Sequence, residues 1–239
     1  LQISNDLILP SSDVLKNLTR SFAQITFSNK RYINLLENSF IDLDIIHLVL
    51  TRNQLETVHE RAINNVRNLR ILSLKSNNLM NISLVLDSNL EQLDLGDNLI
   101  EILRKKYFKN LRSLRVLRLD DNNIRQIEQD AFSEIINLNE LYLNDNLIFD
   151  LEDSPFILLR RLVRLDLSNN EIKVTSNRSF LGCESLTIFN IRDNLLSKIG
   201  RFSFRSFLRF SNSLSLIKLK IHTIEPEAFV GLSLVPDMK

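Results

Sequence analysis

The residues of this 239-residue chain best suited to chemistry fall in step with one another. Asp94, Arg118, Tyr142, Asp166 and Asn190 each follow the last by 24 positions. Glu140, Arg164, Asp120 and Arg192 lie within two residues of members of that row. Such a set supports recognition: ion pairing, stacking of guanidinium on an aromatic ring, and hydrogen bonding around one tyrosine. It does not support hydrolysis or group transfer. Asp94 and Asp166 share the row, but three intervals of ~4.8 Å place them roughly 14 Å apart, too far for an acid and a base to cooperate. His47, His59 and His222 sit at unrelated phases of the period, so no pair has metal-ligand spacing. No glycine-rich phosphate loop or nucleophile motif occurs. The expectation is a binding protein, not an enzyme, with no cofactor and no metal.

The elements that must position this row are written in the same period. The register Leu114-x-x-Leu117-x-Leu119-x-x-Asn122-x-Ile124 recurs as Leu138, Leu141, Leu143, Asn146, Ile148 and as Leu162, Leu165, Leu167, Asn170, Ile172. Leu186, Phe189, Ile191, Asn194 and Leu196 repeat it with other apolar types. Positions 4 and 6 are two apart, so their side chains leave one face of a short strand, while positions 3, 5 and 7 leave the other. A fixed period of this kind means a solenoid, each repeat lending one strand to a parallel sheet. Where the chain leaves each strand its polar backbone would be buried unpaired. The column Asn53, Asn77, Asn98, Asn122, Asn146, Asn170 and Asn194 answers that need, because an amide offers two donors and an acceptor. Each Asn is expected to serve both neighbouring repeats. Asp97, Asp121, Asp145 and Asp193 precede members of that column and read as turn residues bonding local backbone. A calcium site among the first three is the competing reading.

The frame covers nearly the whole chain. A partial copy spans residues 1–21, with Leu1 and Ile3 as its strand pair. Repeats then start near 22, 45, 69, 90, 114, 138, 162, 186 and 211, making one domain over 1–239. Lys30 stands where the first Asn belongs, and the step from 69 to 90 is short. A second apolar column, Phe40, Ile63, Phe108, Phe132, Phe156, Phe180, Phe204 and Phe229, explains 14 Phe beside no Trp: the slot demands a large ring with no polar atom. Cys183 belongs to a third column, with Leu159 and Phe207, and reads as packing. The last copy has two frames, with Leu214 and Leu216 as strand pair or Leu214, Ile217 and Leu219. No apolar run approaches the ~18 residues of a membrane span, so this segment is expected to make no membrane contact. A net charge of +1 argues against a nucleic-acid partner.

The return segments carry a family resemblance. Ile127-Glu-Gln-Asp-Ala131-Phe132 and Ile224-Glu-Pro-Glu-Ala228-Phe229 resemble the I-x-x-x-A-F signature of extracellular leucine-rich-repeat proteins of the typical 24-residue subclass. That group includes Toll-like receptor ectodomains, secreted insect immune factors and adhesion proteins. The resemblance implies an α/β solenoid, a right-handed horseshoe with a parallel β-sheet on the concave face and irregular or short helical return segments on the convex face. It implies a secreted or cell-surface recognition module for a protein or glycan partner, in innate immunity or adhesion, with homo- or heterodimers within reach. Cysteine-rich caps usual in that group are not in this sequence, which implies a piece of a longer chain. An intracellular leucine-rich-repeat scaffold is the second reading. Asn17, Asn81 and Asn177 head Asn-x-Ser/Thr sequons outside the strand segments, and use of any one would separate the two readings.

Overall fold

The computed structural model describes residues 23–232, apart from 41, 64–65, 67, 83–88, 106, 152–153, 210–213, 215 and 217. The chain winds as a parallel β-solenoid. Its main sheet joins eight three-residue strands: Gln24–Thr26, His47–Val49, Ile71–Ser73, Gln92–Asp94, Val116–Arg118, Glu140–Tyr142, Arg164–Asp166 and Ile188–Asn190. Register is the same at every step, so Leu141 lies between Leu117 and Leu165, and Tyr142 between Arg118 and Asp166. Alternation explains the strands. The middle residue of each is buried and its neighbours face outward, as spacing in twos requires.

The Asn column holds the turns together. Asn122 Nδ2 donates toward the carbonyls of Leu95 at 3.0 Å, Leu119 at 3.2 Å and Asp120 at 3.2 Å. Its Oδ1 accepts from the Ile100 amide at 3.1 Å. The same four contacts recur at the other six Asn, from Asn53 to Asn194, and all seven side chains are buried. One expectation needs correcting: each Asn serves its own repeat and the preceding one, not both neighbours. The reason is length, because a side chain of two carbons past Cα reaches back across a single 4.8 Å step. Lys30 stands at the first Asn position, and its backbone amide donates to Asn53 Oδ1 at 2.9 Å.

The residue before each of the seven Asn, and before Lys30 and Leu219 at the matching positions, carries a left-handed backbone. Asn29, Arg52, Ser76, Asp97, Asp121, Asp145, Asn169, Asp193 and Lys218 have φ between 53° and 59°. That region suits Asp and Asn better than other non-glycine residues, which accounts for the Asp row as turn chemistry. The calcium reading gains nothing from it. Among the described residues no group of three His, Cys, Asp or Glu is placed to hold a metal ion.

Behind the sheet the apolar columns close into one core. Phe108, Phe132 and Phe156 stack with centroids 6.0 and 6.2 Å apart, and Phe180, Phe204 and Phe229 at 5.7 and 5.8 Å. Phe189 sits where other repeats have Leu and packs edge-on against Phe180 and Phe207. Cys183 is wholly buried, and that burial pushes its thiol far above the usual range, so it is inert packing. Of the two expected forms, irregular or short helical, the return segments take the irregular one. Among the described residues they hold no helix but turns and two-residue strands, such as Gln126–Ile127 and Lys198–Ile199, paired with like strands of neighbouring repeats. Beta-branched residues at the spot favour extension, and a 24-residue circuit leaves too few residues for a helical turn of useful length.

At the C-terminal end Phe229 stacks on Phe204, which favours the frame with Leu214 and Leu216 as the inward pair; both are partly buried. Neither lies in a strand, so among the described residues the sheet ends at Asn190. The partial copy at 1–21, with Asn17, and most of the short segment 83–89 fall outside the described residues. No helix among the described residues is long and apolar enough to cross a membrane.

Replacing Asn122 by Leu strands the Ile100 amide in a dry site, while the Leu95 carbonyl keeps its bond from Asn98 at 3.0 Å, a loss of about 2 kcal/mol. Asn123 is exposed on the next position, and its replacement by Leu should change little. Denaturant midpoints with unchanged slopes check the contrast.

Candidate functional site

Strands stacked at ~4.8 Å form the narrow side of each circuit and the bulkier returns the wide side, so the sheet's outward face is the inner one of the curve. Its central strands bring together Arg118, Glu140, Tyr142, Arg164 and Asp120. The Arg118 guanidinium carbon lies 4.2 Å from the Tyr142 ring centroid and that of Arg164 6.0 Å from it. The ring is therefore flanked by two cations on the two neighbouring strands. Tyr142 donates its hydroxyl to Glu140 Oε2 at 2.6 Å, and Arg164 Nε lies 3.8 Å from that oxygen. Partial burial, then the bond and charge of Glu140, raise the phenol above its ordinary value while both arginines oppose. At neutral pH it is a protonated donor.

Asp120 buttresses the cluster from below. It is 4% exposed, with Oδ1 3.1 Å from Arg118 Nε and Oδ2 3.8 Å from Lys75 Nζ. Oδ1 receives no well-directed hydrogen bond, so charge attraction is what holds Arg118 over the ring. Lys75 was not among the residues expected here. It reaches Asp120 across an intervening strand whose equivalent position is Gly96, and a Cβ there would already stand 3.2 Å from Asp120 Oδ2. That glycine is the signal that could have revealed it.

The other expected residues are placed differently. Asp166 accepts from the Ser168 amide and hydroxyl at 3.0 and 2.6 Å and from Asn190 Nδ2 at 3.2 Å, which turns it away from the ring. Asp94 accepts from the Gly96 amide at 3.0 Å and from Ser73 Oγ at 3.3 Å. Arg192 is exposed two strands from Tyr142 and lies 3.8 Å from Asp193. Asn81 and Asn177 are exposed on the return side; Asn81 Oδ1 accepts from the Tyr107 hydroxyl at 2.9 Å. The three histidines are dispersed, His47 meeting Gln24 at 3.3 Å.

A family model described as "Leucine rich repeat" matches residues 88–148 and 136–196, and one described as "BspA type Leucine rich repeat region (6 copies)" matches residues 16–115. The two together span 16–196 without a gap. The chain belongs to the leucine-rich-repeat family. This leucine-rich-repeat protein is similar in structure to one from Leptospira interrogans, with a TM-score of 0.64, 23% identity, and 84% of this chain and 49% of that chain covered. It is also similar to a chain of the Toll–Spätzle complex of Drosophila, described as a hub in development and innate immunity. There the TM-score is 0.62 and the identity 21%, covering 82% of this chain and 29% of that one. The leucine-rich-repeat chain thus spans half or less of the length of these neighbours, and identities this low speak for the fold. No curated sequence matches it.

The Asp row along the edge of the sheet yields a test. Partial burial, then Asp145, Asp120 and Asp97, raise the Asp121 carboxyl above its ordinary value, with Lys75 opposing. A carboxyl whose folded pKa exceeds its unfolded one costs stability when ionised, above that folded value. The cost is gone once pH falls below the unfolded value. Asp121→Asn keeps a side chain that tolerates φ of 55°. It should raise the melting temperature at neutral pH and leave it unchanged at about pH 3, where both carboxyls are protonated. Thermal melts at the two pH values check this.

Proposed function

We propose that this chain is a non-enzymatic recognition module of a secreted or cell-surface protein that holds a protein partner on the inner face of its central repeats. The observation that carries the reading is Tyr142 flanked by Arg118 and Arg164 on three adjacent strands. All three side chains are half-exposed, and Tyr and Arg are the types that dominate binding energy at protein interfaces. Because Arg118 already lies on the ring, the two do not grip a partner separately. They offer one pre-stacked, low-entropy surface that stays half-exposed to a partner.

The secreted reading rests on the subclass signature at Ile127–Phe132 and Ile224–Phe229 and on exposed sequons at Asn81 and Asn177. A glycan at either would leave the sheet face open, since both lie on the return side. The Toll–Spätzle neighbour supports a protein ligand and a role in immune or developmental recognition.

Tyr142→Ala and Arg118→Ala should each weaken a partner captured from the natural setting by more than ~1 kcal/mol. Tyr142→Ala should melt near the unaltered chain, whereas Arg118→Ala should melt lower, because it leaves the buried Asp120 with Lys75 alone at 3.8 Å. Lys105, paired with Asp130 at 2.8 Å on a return segment, and Lys173 serve as controls that leave affinity unchanged. Titration calorimetry reads the difference. Loss of affinity confined to the return-segment variants would place the interface on a flank.

A further inference from the structure

Most arginines on the two sides of the sheet have a carboxylate at hand: Arg70 has Glu91, Arg118 has Asp120, Arg164 has Glu140 and Arg192 has Asp193. The rim where the chain enters the central strands breaks that habit. Arg161 Nη1 donates to Asn137 Oδ1 at 2.9 Å, and Arg115 Nη1 donates to the Asn137 carbonyl at 3.3 Å. Asn137 Nδ2 in turn donates to the Arg112 carbonyl at 2.9 Å, and Asn139 Nδ2 to the Arg161 carbonyl at 3.1 Å. Two guanidinium groups thus converge on one neutral amide residue, and Arg112 is tied to it through its backbone. Among the described residues none of Arg112, Arg115 and Arg161 has a carboxylate at ion-pair distance. Arg160 beside them has only Glu184, at 3.9 Å. All four side chains are exposed.

Like charges gathered without a counter-charge repel one another, and the arrangement is relieved by an anion. Asn137 fixes one edge of each guanidinium, leaving the other N–H donors for an oxyanion that takes two parallel bonds. The rim is open, so one small hydrated ion gains little there. Several anionic groups on one chain gain more. Arg112 and Arg160 hold the same position two repeats apart, roughly 10 Å at ~4.8 Å per strand. Between them in that column is Ile136, 48% exposed, and Leu158, two residues before Arg160, is 44% exposed. An apolar step between cations suits the C–H face of a sugar ring. Across the short strands the opposite rim carries Asp97, Asp121 and Asp145, so a ligand as wide as a nucleic-acid duplex would meet repulsion.

We propose that Arg115 and Arg161, braced on Asn137 and flanked by Arg112, Ile136 and Arg160, form a binding site for the sulfate groups of an anionic polysaccharide. The site is separate from the Tyr142 face and does not depend on it.

The test uses the whole chain with heparin as probe, beside chemically desulfated heparin, polyglutamate and a DNA duplex. Heparin should bind with an affinity that falls steeply with salt, and the desulfated form should not bind. Arg115→Ser with Arg161→Ser should weaken heparin by about tenfold or more, and Lys at both positions should restore part of it, because charge returns without the planar fork. Arg178→Ser with Arg205→Ser, on the return side, should leave binding unchanged, and melting curves should show all variants folded. Heparin binding untouched by the Arg115 and Arg161 changes would overturn the site. Equal competition by polyglutamate or DNA would overturn the sulfated-sugar assignment, as would no heparin binding at all.

Discussion

Every repeat of this chain must turn away from its strand inside the core, and one buried amide per repeat is what makes that turn tolerable. Asn Nδ2 satisfies carbonyls of its own turn and of the one before, while Oδ1 takes the amide two residues past the preceding Asn. The bonds individually are ordinary. Their weight comes from the alternative, an unpaired backbone group in a dry interior, which costs more than the bond gains. Because each Asn faces backward, the column links repeats in one direction only. It ends where Leu219 stands in the Asn position and can accept nothing, and there the main sheet also ends, at Asn190 among the described residues.

That column sets the geometry of the sheet's outward face. Identical register at each step places residues 24 apart on adjacent strands side by side, so Arg118, Tyr142 and Asp166 become neighbours. The αL residue before each Asn fixes where the outward row stops and explains why acidic residues line one edge. The entry rim collects arginines instead. A sheet only three residues wide therefore has an acidic border, a tyrosine between two guanidinium groups, and a basic border. A partner seated there, as proposed, would be oriented as well as held.

What the sequence makes legible is whatever recurs. The Asn column, the Phe stack and the alternation of inward and outward residues follow from type and spacing alone, and so does the closeness of Arg118 and Tyr142. Their stacking on each other does not follow, since it depends on side-chain torsions and on the buried charge of Asp120. Lys75 escapes notice because its partner lies two strands away and the link is a missing side chain at Gly96. The return strands are two residues long, too short to show a period, so their pairing within the irregular return segments is not legible. Asn137 occupies a position with no repeating character, which hides the arginines it gathers.

The account stands on the claim that the Asn side chains join the repeats into one cooperative body. Amide hydrogen exchange at Ile100, Ile124, Ile148 and Ile172 tests it, since each amide is held by the Asn of the following repeat at 3.0 to 3.1 Å. The account predicts that these four amides exchange only when several repeats open together, at one shared free energy close to that of the strand amides of Leu117 and Leu141. Exchange of the four one by one, at the rates of surface turns, would contradict it.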